Sequence, residues 1–163
     1  MKCLIFAAGL GTRLKPLTDM MPKALVPVGG IPLIEHVTRK LKASGVGEAV
    51  VNVHHFADMV QQWVEKQDIM GMEVSDERKL LLETGGGVLH ARPYLEGCGK
   101  FLIHNVDILS DLDIRWFESC VKEEALATLL VSERKTSRYL LFDPATMLLK
   151  GWTNINTGEV RSP

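Results

Sequence analysis

The chain has 163 residues, 46% of them hydrophobic and 24% charged, with a formal net charge of −1. That is one domain's worth of chain with enough apolar content for a sizeable core, which excludes a disordered segment. The lack of a basic surplus disfavours a role built on nucleic-acid phosphates.

Apolar strand-like runs alternate with amphipathic helical stretches, the pattern of an α/β domain with a largely parallel sheet. Leu4 to Ala8 is a short continuous apolar run, as expected of a strand covered on both faces. A loop with Gly9, Gly11, Pro16, Pro22, Pro27, Gly29 and Gly30 follows. Pro32 suits the first turn of a helix that places Leu33, Ile34, Val37 and Leu41 on one face and ends at Gly45 and Gly47. Ala49 to Val53 reads as the second strand. Met59, Val60, Trp63 and Val64 form the apolar stripe of the next helix. A strand around Met72–Val74 and an apolar piece at Leu80–Leu82 come next. Thr84 is placed to cap a helix that opens on Gly85, Gly86 and Gly87 and continues through Val88, Leu89, Arg92 and Leu95. Phe101 to His104 reads as another strand of the fully buried type, leading into Asn105, Val106 and Asp107. Asp113 is a cap for a helix bearing Ile114, Phe117 and Val121. Ala127 to Val131 reads as a strand, Ser132 to Ser137 as a charged loop, and Tyr139–Phe142 with Met147–Trp152 as a hairpin. Nothing in the composition splits the chain, so one domain is expected over 1–163.

The first strand delivers Ala8, Gly9, Gly11, Thr12 and Arg13 at its carboxyl end, where open α/β sheets bind ligands. Glycines there let peptide N–H groups approach phosphate oxygens. A Gly-x-Gly alone is weak evidence, because turns use glycine for conformational reasons. The dinucleotide fingerprint fails at Leu14 and at the interrupting Pro16 and Pro22, which sets aside a nicotinamide-dependent oxidoreductase. The P-loop fails for want of Gly-Lys-Ser/Thr.

The longer string Ala7-Ala8-Gly9-Leu10-Gly11-Thr12-Arg13-Leu14-Lys15-Pro16-Leu17-Thr18, followed by Pro22-Lys23-Ala24-Leu25-Val26-Pro27-Val28, resembles the signature of the sugar-1-phosphate nucleotidyltransferases. Glu83-Thr84-Gly85-Gly86-Gly87 and Asn105-Val106-Asp107 resemble two further blocks of that family. The resemblance extends to Trp152. It is strongest to the bacterial N-acetylmuramate-1-phosphate uridylyltransferase branch, with mannose-1-phosphate guanylyltransferases and glucose-1-phosphate thymidylyltransferases as near alternatives.

The resemblance implies a three-layer α/β/α Rossmann-like fold and transfer of a nucleotidyl group from an NTP, with UTP favoured, to a sugar-1-phosphate. The nucleophile is already an anion, so positioning and charge neutralisation are what the residues must supply. Arg13 and Lys23 are the implied catalytic cations, Arg13 on the β- and γ-phosphates and Lys23 between the α-phosphate and the sugar phosphate. Ala8, Gly9, Gly11, Thr12, Glu83, Gly85 and Gly86 complete the implied nucleotide site, and Asn105 contacts the sugar or helps to orient Asp107. Asp107 is the candidate ligand of Mg²⁺, the implied cofactor. Glu83 reads the base or supplies first-turn charge to its helix, and both readings stay open. Where relatives commonly have Asn-Gly-Asp, Val106 stands in the middle and is expected to narrow the approach to the metal or sugar. Residues after Trp152 match no further block, so the chain is expected to be C-terminally truncated. It would then lack a second metal-binding aspartate and part of the sugar pocket, which keeps an NTP-binding module as the alternative function.

Cys3, Cys98 and Cys120 show no paired spacing and read as structural thiols of a reducing compartment. The five histidines have no metal-ligand spacing, and His104 stands out only by preceding Asn105. No apolar run approaches the ~20 residues that span a bilayer. The apolar start lacks a cleavage region. A cytoplasmic protein without membrane or nucleic-acid partners is expected, its oligomeric state open.

Overall fold

The computed structural model describes residues 1–162. They form two compact units, Met1–Val121 and a second that begins at Lys122. The α/β architecture belongs to the first.

In that unit β1 (Lys2–Phe6) runs into a loop with 3-10 turns at Thr12–Leu14, Leu17–Asp19 and Lys23–Leu25. A small hairpin of β2 (Pro27–Val28) and β3 (Ile31–Pro32) follows, then α1 (Leu33–Ala43), β4 (Glu48–Val53), α2 (Ala57–Lys66) and β5 (Gly71–Asp76). The unit closes with α3 (Glu83–His90), α4 (Arg92–Leu95), β6 (Phe101–Asn105) and α5 (Ile114–Ser119). The main sheet has the order β5-β4-β1-β6 with every pairing parallel.

β1 has a strand on each side, and Cys3, Leu4 and Ile5 are all 0% exposed, which is why its sequence is continuously apolar. Successive strand side chains face opposite sides of a sheet. Cys3 and Ile5 join a core with Ile34, Val37 and Leu41 of α1, Val60 and Val64 of α2, and Ile114 of α5. Leu4 joins Val50, Ala91 and Leu95 on the other face. Helices α1, α2 and α5 therefore cover one face and the α3–α4 pair the other. This is the expected three-layer α/β/α arrangement. Each fully buried Leu or Val in these layers contributes about 1.5–3 kcal/mol. Gly45, at φ +88, lets Val46 N–H return to the Leu41 carbonyl at 3.0 Å and ends α1 where expected.

Several local expectations are corrected. β1 stops at Phe6, so Ala7 and Ala8 already belong to the loop. Pro32 precedes α1 instead of lying in its first turn. Thr84 caps nothing: α3 begins at a left-handed Glu83 (φ 59), two residues before the expected Gly85. That helix does not run on to Leu95, because Pro93 has no N–H to continue it, and α4 starts afresh at Arg92. Leu80–Leu82 is a loop, with Leu80 66% exposed. α5 ends at Ser119, short of Val121. β6 is a sheet edge among the described residues: Leu102 packs on the α1 face, whereas Phe101 and Ile103 are 36% and 44% exposed. Ala127–Val131 forms no strand, because no described strand offers it a hydrogen-bonding ladder, and β propensity without a partner fixes nothing.

The second unit is an antiparallel meander of β7 (Arg138–Phe142), β8 (Leu149–Asn154) and β9 (Glu159–Arg161). The expected hairpin turns on Asp143, whose carboxylate accepts from Ala145 N–H at 3.0 Å and Thr146 N–H at 2.8 Å. The third strand was not expected from its polar sequence.

Candidate functional site

The chain leaves β1 in the middle of the sheet and crosses on one side to β4 and β5. It then returns to place β6 on the other side of β1. Ligands of open α/β sheets bind at the carboxyl ends of strands where the order reverses in this way. A cleft of about 220 Å³ opens there, walled by Phe6 to Gly9 after β1, Asn52 of β4, and Asn105, Val106 and Asp107 after β6. Lys23 closes it from the loop, and Leu81, Glu83 and Thr84 line the side where α3 begins.

The loop is shaped so that Lys23 reaches this cleft. Gly11 stands at φ 65, and Thr18, only 3% exposed, donates its hydroxyl to the Gly11 carbonyl at 2.9 Å. A Cβ on Gly11 would lie 2.8 Å from Thr18 Cγ2 and 3.1 Å from Lys23 Cβ, so the glycine allows the two loop limbs to close together. Pro22 is buried before the turn that carries Lys23. Gly9 differs: its φ is ordinary, and a Cβ there would meet nothing within 4 Å.

Lys23 Nζ forms an ion pair with Asp107 Oδ2, joining the loop to the end of β6. The two side chains are 18% and 36% exposed. Burial lowers the pKa of His104, an effect that exceeds the opposing influence of its hydrogen bond to the Asn105 carbonyl; Lys40 also lowers it and Asp107 raises it. Val106 is 3% exposed and belongs to the main core, and it is also part of the cleft lining.

Of the site residues read from the sequence, Ala8, Gly9, Lys23, Glu83, Asn105 and Asp107 share this cleft. Gly11, Thr12, Arg13, Gly85 and Gly86 are outside its lining, and Arg13 is exposed. Asn52, which the sequence reading passed over, also lines the cleft, and it is bonded to Glu77, which lies outside the lining. Asn52, 2% exposed, accepts the N–H groups of Ala7 at 2.7 Å and Ala8 at 3.3 Å. Its amide nitrogen donates to Glu77 Oε1 at 2.9 Å, and Glu77 is 3% exposed. The available signal was a lone polar residue inside the apolar strand Ala49–Val53.

Among the described residues no group of three or more His, Cys, Asp or Glu could hold a metal ion. Asp107 is instead a single carboxylate, a donor that suits Mg²⁺ where phosphate oxygens and water supply the remaining positions. A larger depression of about 410 Å³ lies on the meander, around Arg138, Trp152 and Arg161. It carries none of the candidate site residues, and Glu159 neutralises Arg161 at 2.7 Å. Among the described residues no helix is long and apolar enough to cross a membrane.

The family model of the MobA-like NTP transferase domain matches residues 3–152. The N-acetylmuramate alpha-1-phosphate uridylyltransferase of Caulobacter vibrioides is 47% identical over 108 residues, 64% of this chain and 44% of that protein. The mannose-1-phosphate guanylyltransferase catalytic subunit beta of Xenopus tropicalis is 34% identical over 125 residues, 75% of this chain and 34% of its own length. The chain thus spans less than half the length of either relative. The crystal structure of HddC from Yersinia pseudotuberculosis superposes with a TM-score of 0.71 at 22% identity, over 99% of this chain and 71% of that one, a likeness of fold.

Proposed function

The chain belongs to the MobA-like NTP transferase family, and from that premise we propose that it transfers a nucleotidyl group from an NTP to a sugar-1-phosphate. The observation that carries this reading is the meeting of Lys23 and Asp107, from distant parts of the chain, beside Gly9 in a cleft at the carboxyl end of β1.

In the proposed reaction a sugar-phosphate oxygen attacks the α-phosphorus of the NTP. The bond from that phosphorus to the bridging oxygen breaks, and pyrophosphate leaves with the electron pair. The attacking oxygen already carries negative charge, so no side chain has to remove a proton. Lys23 acts as a point charge between the α-phosphate and the incoming phosphate, where charge accumulates in the transition state. Arg13, an exposed residue of the loop, holds the β- and γ-phosphates in a fork-shaped contact. Because Arg13 is outside the lining of the 220 Å³ cleft, this role requires the β- and γ-phosphates to extend beyond it. The open space over Gly9 allows phosphate oxygens to approach the backbone. Glu83, on the cleft wall, faces the base or ribose, and Asn105 the sugar. Asp107 would hold Mg²⁺ together with the phosphates, and the bound ion would neutralise phosphate charge during transfer. UTP is the proposed donor and N-acetylmuramate-1-phosphate or a similar hexose-1-phosphate the acceptor, because the 47% identical relative is a uridylyltransferase for that sugar.

The test is pyrophosphate release with UTP, GTP or dTTP against a panel of sugar-1-phosphates. The expected result is fastest release with UTP. Lys23→Ala and Asp107→Ala should each slow it by about 100-fold or more with unchanged far-UV circular dichroism. Release at the unmodified rate from either variant removes the role assigned to that residue. No release from any pair of substrates overturns the transferase reading.

A further inference from the structure

A chain of hydrogen bonds, buried except for its last and longest link, runs between the two walls of the cleft, and no step of the proposed reaction uses it. Asn52 Oδ1 accepts from the peptide N–H groups of Ala7 and Ala8, the first two residues of the loop. Asn52 Nδ2 donates to Glu77 Oε1, and Leu82 N–H approaches Glu77 Oε2 at 3.4 Å. Leu82 directly precedes Glu83 and Thr84 on the opposite wall. The orientation of the Asn52 amide is dictated by chemistry: two N–H donors face one of its ends, so that end must be the oxygen, and the nitrogen must face the carboxylate. A side chain at residue 87 would press on this pair, since a Cβ there would lie 3.0 Å from both Asn52 Nδ2 and Glu77 Oε1. Gly87 therefore lets α3 approach the pair closely. Neither Asn52 nor Glu77 is exposed beyond 3%, so both are shielded from exchange with water.

We propose that Asn52, oriented by Glu77, is a positioning residue of the nucleotide cleft, holding the start of the phosphate loop in register with the Glu83–Thr84 wall. It acts through the backbone of Ala7 and Ala8. The inference rests on the nucleotide-binding part of the reading above. The polarity of the pair matters, because a donor must meet an acceptor at each junction. Asn52→Asp alone sets two carboxylates against each other, and Glu77→Gln alone turns an NH₂ toward either Asn52 Nδ2 or Leu82 N–H. The double variant Asn52→Asp/Glu77→Gln keeps every junction satisfied with the middle bond reversed. The carboxylate introduced in place of Asn52 would still accept from Ala7 and Ala8. The amide introduced in place of Glu77 would donate its NH₂ to that carboxylate, and its carbonyl would accept from Leu82.

The experiment is calorimetric titration of UTP into the full chain and these three variants, alongside their thermal melting points and the hydrogen exchange of the Ala7 and Ala8 amides. Each single variant is expected to weaken UTP binding about tenfold or more and to speed exchange at Ala7 and Ala8. The double variant is expected to return to within about threefold of the unmodified affinity. Folded single variants with unmodified affinity overturn the proposal, as does a folded double variant no better than the singles. A melting point that falls while affinity holds identifies a purely structural role and also overturns it. Should the single variants fail to fold, Gly87→Ala presses on the same pair and is expected to weaken UTP binding several-fold; unchanged affinity there overturns the proposal. An unmodified chain that binds neither UTP, GTP nor dTTP overturns the nucleotide reading and this inference with it. Normal binding by the chain and by its single variants overturns the inference alone.

Discussion

The two glycines of the loop after β1 do different work, and substituting each by alanine separates them. At Gly11 an alanine must hold φ near +65, which costs about 1–2 kcal/mol for a residue with a Cβ. Its methyl would sit 2.8 Å from Thr18 Cγ2 and 3.1 Å from Lys23 Cβ. Thr18 has little room to retreat, being 3% exposed and bonded through its hydroxyl to the Gly11 carbonyl. Overpacking of this kind costs a further 1–3 kcal/mol or so. Gly11→Ala is therefore expected to destabilise the chain by about 2–5 kcal/mol, a large part of the roughly 5–15 kcal/mol of a typical domain. At Gly9 the backbone is ordinary and the space open, so Gly9→Ala should change stability by less than about 0.5 kcal/mol while weakening NTP binding. Urea denaturation followed by circular dichroism measures the first effect, and calorimetric titration the second. A Gly11→Ala variant as stable as the unmodified chain would refute the steric argument. A Gly9→Ala variant that binds NTP normally would refute close phosphate approach at Gly9.

Burial pushes the Cys3 thiol up to about 12, so it stays protonated where a free thiol would begin to ionise. The thiolate is the reactive form. At pH 8 a thiol reagent should label exposed Cys120 first and half-buried Cys98 more slowly. Cys3 should react only on unfolding, and rapid native labelling of Cys3 would contradict its burial. Because the unfolded thiol ionises from its usual 9.0 upward and the folded one does not, stability from this group is full below pH 9. It declines as pH rises from there toward 12. Asp113 accepts from Arg115 N–H at 2.9 Å and Trp116 N–H at 3.1 Å at the start of α5. Asp113→Ala should cost about 1 kcal/mol in denaturant and Asp113→Asn much less; equal losses would deny the capping role.

The sequence carried the architecture of the first unit wherever local periodicity and burial coincide. Leu33, Ile34, Val37 and Leu41 share one helical face, and all four are buried. Asp113 caps because its neighbours alone decide the geometry. Features that depend on distant partners were not legible. Nothing local reveals that β6 lies at a sheet edge with Ile103 exposed, or that Ala127–Val131 lacks a partner strand. The site divides in the same way. Gly9, Lys23, Glu83, Asn105 and Asp107 carry recognisable motifs and converge on one cleft. Gly11 belongs to the same motif, yet its geometry serves the loop's own packing. Asn52 and Glu77 lie 25 residues apart and acquire meaning only when β4 and the segment after β5 bring them together.

The central claim is that a nucleoside triphosphate occupies the cleft between the loop after β1 and the end of β6. Titrating UTP into isotope-labelled chain and following backbone amide shifts by NMR tests it most directly. Saturable shifts are expected at Gly9, Lys23, Glu83, Thr84, Asn105 and Asp107, with little change in the β7–β9 meander. Shifts confined to the meander around Trp152, or no saturable shifts with UTP, GTP or dTTP, would contradict it.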